Sequence, residues 1–143
     1  MPVKVTSTMQ GKNYSDVIDK VAEKVVREYG ITIQRQARAL AAVKTGRLKG
    51  SITYQTEHFG GSPKSPATGA DVIDKPTDEH TCYVGTNVSY AQHMEYGTER
   101  NITGQPYLRP AVDIAKKSAG AAAALEIRKA MKAENAQRYI AIG

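Results

Sequence analysis

Cysteine is almost missing from this chain: Cys82 is the single one, so no disulfide can form within it. Tryptophan is absent, and there is one phenylalanine against eight tyrosines. A core has to be built mainly from Ala, Val, Ile and Leu, side chains that suit thin helix-on-sheet packing better than a thick globule. No apolar run approaches the roughly 20 residues that span a bilayer. The opening MPVKVTSTMQGKN carries no apolar block of the secretory kind. The expectation is a chain that stays in a reducing cytosol, without a membrane partner. Its 143 residues, 41% of them apolar, bound it to a single domain spanning 1–143 with one modest core. Domains of this size often gain stability from neighbours.

Catalytic patterns are also lacking. His58, His80, His93 and Cys82 show neither C-x-x-C nor H-x-x-x-H spacing. His80 and Cys82 fall on one face of a strand, and two ligands do not make a site. His93 and Glu95 stand at i, i+2, which points them apart on a helix. No nucleophile elbow is present, and the glycines at 61 and 69 belong to neither a P-loop nor a G-x-G-x-x-G pattern. No catalytic residue, cofactor or metal is expected, and the chain is not expected to be an enzyme.

What the sequence does have is unevenly placed charge. Twenty Lys and Arg against fourteen Asp and Glu give a net +6. Arg35, Arg38, Lys44, Arg47 and Lys49 form a stretch without an acid, whereas Asp71, Asp74, Asp78 and Glu79 face only Lys75. Either the two stretches meet across a repeated head-to-tail contact, or they are ordinary solvated charge. Lys116, Lys117, Arg128, Lys129 and Lys132 decorate the last helix, so phosphate contact is a competing reading. Aromatic interleaving is poor there, and a solvated helix face is the simpler account.

Periodicity outlines the domain. Ile18, Ala22, Val25, Tyr29, Ile33, Ala37 and Leu40 recur at three and four, predicting an amphipathic helix from Ser15 to about Val43. Ser15 is its expected N-cap, with Asp16 and Asp19 in the first turn. Gly30 and Ile31-Thr32-Ile33 weaken its middle. Residues 51–57 alternate as a half-buried strand, and residues 80–88 make a second strand antiparallel to it. Between them, about 58–79, lies a long flexible connection, with a strand piece suggested near 70–73. Residues 1–13 read as a flexible arm. A short helix capped by Ser89 is expected up to Tyr96, ended by Gly97. A last helix is expected from Pro110 to about Gln137, with Val112, Ala115, Ala119, Ala122, Leu125 or Ala123, and Met131 or Ala130 inward. Residues 139–142 read as a third strand or a loose end. The fold class is α+β: a long N-terminal helix and a C-terminal helix on one face of a small antiparallel sheet with a long hairpin loop.

Two segments carry a signature. One is VKTGRLKGSI from Val43 to Ile52, a helix end running through T-G-x-L-x-x-S-I into a strand. The other is YVGTNVSYA from Tyr83, then MEYGT from Met94, then QPYLRPA from Gln105. In this order and spacing they resemble the tail-completion or neck protein family of tailed bacteriophages, the "gene product ten" family of HK-type lambdoid phages. The resemblance runs from the first helix into the last, and prophages carry such genes too.

The resemblance implies a structural virion protein at the head–tail junction or head-proximal tail, made in the host cytoplasm. It implies a homo-oligomeric ring, sixfold to match a tail tube, with DNA passing through the lumen. Implied partners are head-closure or neck proteins and tail-terminator or tail-tube proteins. A tail-terminator or head-closure ring protein is the neighbouring alternative, and a small basic DNA-binding protein the alternative of another class. Beside this, Thr45 and Gly46 are expected to end the long helix, Leu48 to plug the helix–sheet gap, and Gly97 and Leu108 to maintain the fold. Pro106 and Pro110 stiffen the entry to the last helix. Arg47, Tyr90, Glu95, Tyr96 and Arg109 are the candidate contact residues, since Tyr and Arg are enriched at interfaces.

Overall fold

A computed structural model describes residues 2–6, 15–41, 46–100 and 103–142. Along the chain run β1 (Pro2–Thr6), α1 (Ser15–Leu40), α2 (Arg47–Ser51), β2 (Thr53–Gln55), β3 (Thr81–Gly85), α3 (Ala91–Tyr96) and α4 (Leu108–Ile142). The fold is α+β, as the periodicities indicate. The sheet order is β1-β3-β2 with both pairings antiparallel. Thr53 stands opposite Gly85 and Pro2 opposite the same glycine on the other side, so β3 is the central strand.

Helix α1 lies on the sheet, and α4 packs along α1. Ala22, Val26, Ile33, Ala37 and the following Ala41 are buried at helical spacing, continuing into Ile52, Cys82 and Val84 of the sheet. Helix α1 runs unbroken through Gly30. A Cβ there would collide with Cys82 Sγ, so the glycine lets the helix backbone press on β3. The same burial pushes the Cys82 thiol up to about 12. The Ala-rich face of α4 serves a similar purpose, with Ala111 and Ala115 fully buried. Lys24 of α1 and Glu126 of α4 tie the helices at 3.0 Å.

Several expectations change. The arm is in part β1, and its Val3 packs on the core. Residues 7–14 lie outside the described ones, as do the side chains of Ser15, Asp16 and Ile18. Val26 takes the buried place given to Val25, and Leu40 is exposed. α4 begins at Leu108 and continues helically through Ile142, so residues 139–142 are not a strand. Leu125 and Ala122 are exposed, whereas Ala119 and Ala123 are half-buried; Met131 lies outside the described side chains. α3 starts at Ala91 with Tyr90, not Ser89, at its N-cap position, and no side chain caps it.

The connection between β2 and β3 is not an open hairpin. Gly60 bridges back to Gln55, and the Lys64 N–H donates to the Gly50 carbonyl at 2.8 Å. A single 3-10 turn at Gly69–Asp71 replaces the suggested strand piece. Asp71, Ile73 and Pro76 are buried, so the segment covers the core edge. Hydrophobic side chains at 71–76 are too few to reveal this by periodicity.

Candidate functional site

The two signature segments meet in space. Gly46 sits at φ +80°, a backbone turn that favours glycine, and starts α2. Within α2, Leu48 enters the core and Ser51 is buried. Ser51 Oγ donates or accepts across 2.6 Å with Thr86 Oγ1, which also accepts the Val88 N–H at 3.1 Å. A buried hydroxyl pair of this kind satisfies polar groups that would otherwise oppose folding. Thr45 lies outside the described residues.

Arg47, next to Gly46, forms a two-pronged pair with Asp71 at 2.8 and 3.2 Å. Asp71 also accepts the Thr68 N–H, and its carbonyl accepts the Asn87 N–H. The Arg47 guanidinium holds the Asp71 carboxyl below the usual carboxylate range, with the Thr68 N–H adding to it. The aspartate therefore joins the first segment, the long connection and the second segment. Sequence spacing alone could not find this, because Asp71 looked like one acid among four.

Glu95 is the centre of the second segment. Its side chain has no exposed surface, so it lies beneath the surface on which it was expected to make contacts. Its carboxylate accepts the main-chain N–H groups of Tyr107 at 2.8 Å, Leu108 at 3.0 Å and Arg109 at 3.0 Å. These are the first N–H groups of α4, which have no partner inside the helix. The fourth such group does not exist, because residue 110 is proline. Arg109 Nε adds an ion pair at 3.2 Å. Burial pushes the Glu95 carboxyl up, but the three N–H groups and Arg109 outweigh it and hold it low. The positive end of α4 adds in the same direction.

The surrounding residues complete this clamp. Tyr107 is fully buried and donates its hydroxyl to the Ala91 carbonyl at 3.2 Å; burial raises its own pKa. Gly97, at φ +81°, ends α3 with its N–H on the His93 carbonyl. Leu108 is in the core, Pro106 is exposed and Pro110 half-buried. On the outside, the Arg109 guanidinium lies 4.6 Å from the centre of the Tyr96 ring, and Tyr96 is 55% exposed. Tyr90 is half-buried against the core. Arg47, Tyr96 and Arg109 thus remain at the surface, while Glu95 holds the frame below two of them.

Other clusters are thin. Glu57, His58 and Glu79 bring ligand atoms within 4.8 Å of one another, all of them exposed. His80 faces Asp19 at 3.4 Å, and Cys82 is covered by α1, so His80 and Cys82 do not converge. Among the described residues no helix is long and apolar enough to cross a membrane.

Taken together, the fold and this junction define a small α+β structural domain whose polar interior is spent on fixing its own elements. A family model described as "Bacteriophage HK97-gp10, putative tail-component" matches residues 10–97, more than half of the chain. The chain belongs to this family of phage tail components. The match contains T-G-x-L-x-x-S-I and ends at Gly97, so the QPYLRPA partner of Glu95 lies beyond it. Neither the curated proteins nor the solved structures give a significant match.

Proposed function

We propose that this protein is a non-enzymatic tail-completion or neck subunit that assembles as a ring at the head–tail junction, sixfold like the tail tube. Family membership as a phage tail component supports the general role. One observation carries the assembly reading. Ile114, Ser118, Ala121 and Leu125 recur at four, three and four residues along α4, and all are exposed. Ile114 is 41% and Leu125 50% exposed, with small residues between them. A helix stripe that is apolar at both ends and small in the middle allows close approach of another element. Helix α4 has 35 residues against 26 in α1, so it reaches further than its partner covers. The outer edge of β1, which pairs only with β3 among the described residues, offers further contact surface.

In this reading neighbouring subunits and head-closure, tail-terminator or tail-tube proteins are the partners, and DNA passes the lumen. The virion is the expected location. Mass measurement in solution with electron microscopy of the pure protein tests it. Rings, or oligomers that grow with concentration, are expected. A strict monomer that binds duplex DNA with steep salt dependence would instead favour a small basic DNA-binding protein.

A further inference from the structure

A groove of about 600 Å³ runs between α1, α2 and the connection that follows β2. Its charged lining is basic throughout: Arg35 and Arg38 from α1, Lys49 from α2, and Lys64 from the connection. Arg38 is held in place, donating to the carbonyls of Ile52 at 2.8 Å and Ser62 at 3.3 Å. Arg35, Lys49 and Lys64 have no acidic partner among the described residues. Four like charges around one recess repel, and an anionic occupant relieves them. The Gln34 side chain, also on this wall, is already committed to the Tyr54 N–H.

The complementary surplus lies elsewhere on the same chain. Glu57 and Glu79 are crowded together with His58 between them, 3.9 Å from each. They stand beside the hairpin tip at Phe59, whose ring lies over Arg27 of α1 at 4.3 Å. From Arg27 to Arg35 and Arg38 is a distance of about 12–17 Å along the helix, at 1.5 Å per residue. The acidic tip and the basic groove are therefore separate patches, and a subunit cannot close the contact on itself at that site. Two different complementary patches on one chain make a head-to-tail contact, the kind that closes into rings or runs into filaments.

We infer that the basic groove receives the acidic tip, Glu57 with Glu79 and Phe59, of a second copy of this chain. The inference rests on the ring reading for its need of a repeated contact. The basic groove suits a carboxylate or a phosphate, and the acidic patch that every copy of this chain carries at Glu57 and Glu79 favours the carboxylate. Phe59, 44% exposed, adds an apolar anchor to the incoming charge.

Carbodiimide, which joins a carboxylate directly to an amine, tests this on the unaltered full chain. Equal amounts of 14N and 15N protein are treated together, and crosslinked peptides are read by mass spectrometry. Mixed-isotope links from Lys49 or Lys64 to Glu57 or Glu79 are expected. Their absence, or inter-chain links confined to other surfaces, would overturn the proposal. Charge reversal gives an independent reading. Arg35→Glu with Lys49→Glu, or Glu57→Lys with Glu79→Lys, is expected to weaken self-association on the order of 10–100-fold. Mixing the two variants restores it, because each then offers a matching patch to the other. Unchanged association of either variant, or no recovery on mixing, would sink the contact. If rings persist through the reversals, the ring reading stands and this contact falls. If only open filaments form through these links, the contact stands and the ring falls. A groove-reversed variant that assembles normally yet loses duplex binding would assign the groove to nucleic acid, against the proposal.

Discussion

The Glu95 carboxylate reaches the main-chain N–H of Tyr107 at 2.8 Å while itself having no exposed surface. A side chain from the end of α3 thus caps a helix that begins beyond a separate loop. Three N–H groups of α4 converge on the one carboxylate, and Pro110 removes the fourth demand. The Tyr107 hydroxyl on the Ala91 carbonyl and the Gln105 N–H on the Met94 carbonyl join the same two regions, so the ionised Glu95 is one of several ties between α3 and α4.

Glu95→Ala is expected to cost about 2–4 kcal/mol, because it strands several buried donors as well as the Arg109 charge. Glu95→Gln keeps the shape and loses the charge, and should cost about 1–2 kcal/mol. Urea unfolding measures both. Equal stability of Glu95→Gln and the parent at neutral pH would contradict the charge argument.

The pH dependence follows from the direction of the shift. The Glu95 carboxyl is held below its unfolded value, so its contribution is fully present above an unfolded pKa of about 4.3. It is lost as pH falls through the lower, folded value. The acid limb of the stability curve should be shallower in Glu95→Gln. An identical limb would show that Asp71 and the other depressed carboxylates carry the whole effect.

Gly30 and Cys82 should be strongly coupled. Gly30→Ala alone collides with the thiol, whereas Cys82→Ala opens the space and Ala is the better helix former. A double-mutant cycle is expected to show a coupling of about 1–3 kcal/mol, with the double variant more stable than Gly30→Ala. In the parent protein the thiol should react with an aromatic disulfide reagent only on unfolding. Fast labelling of the folded chain would argue against the close approach of α1 to β3.

Asp71 is predicted to matter beyond its neighbours on the connection. Asp71→Asn should lower the melting temperature, while Asp74→Asn, at an exposed position, should leave it nearly unchanged. Amide exchange at Asn87, which donates to the Asp71 carbonyl, should quicken in Arg47→Ala. Equal melting of the two aspartate variants would remove Asp71 from its joining role.

Much of this was legible from residue order. The stripe Ala22, Ile33, Ala37 marks α1, the alternation near Tyr54 marks β2, and Gly97 ends α3 as expected. Gly46, expected to end the long helix, instead opens α2 while α1 stops at Leu40, and the five residues of α2 are too few to show a period. The alternation of Val3 and Val5 was available as a strand signal, but five residues beside a polar stretch carry little periodic weight. Helical spacing admits either Leu125 or Ala123 inward; Ala123 is the half-buried one, because α4 turns Ala111, Ala115, Ala119 and Ala123 toward α1 and leaves Leu125 exposed. Glu95 and Asp71 were harder. Their partners are main-chain groups and a residue 24 positions away, and neither leaves a pattern in a single sequence.

The role proposed for this member of the phage tail-component family is repeated contact through exposed surfaces that its buried clamps hold in place. Negative-stain electron microscopy of the pure protein over a concentration series, with solution mass on the same samples, tests it most directly. Closed rings with a central opening, weakened by Leu125→Asp without loss of the folded state, are the predicted result. A monomer at every concentration, alone and with the junction and tail-tube proteins of its own phage, would contradict it.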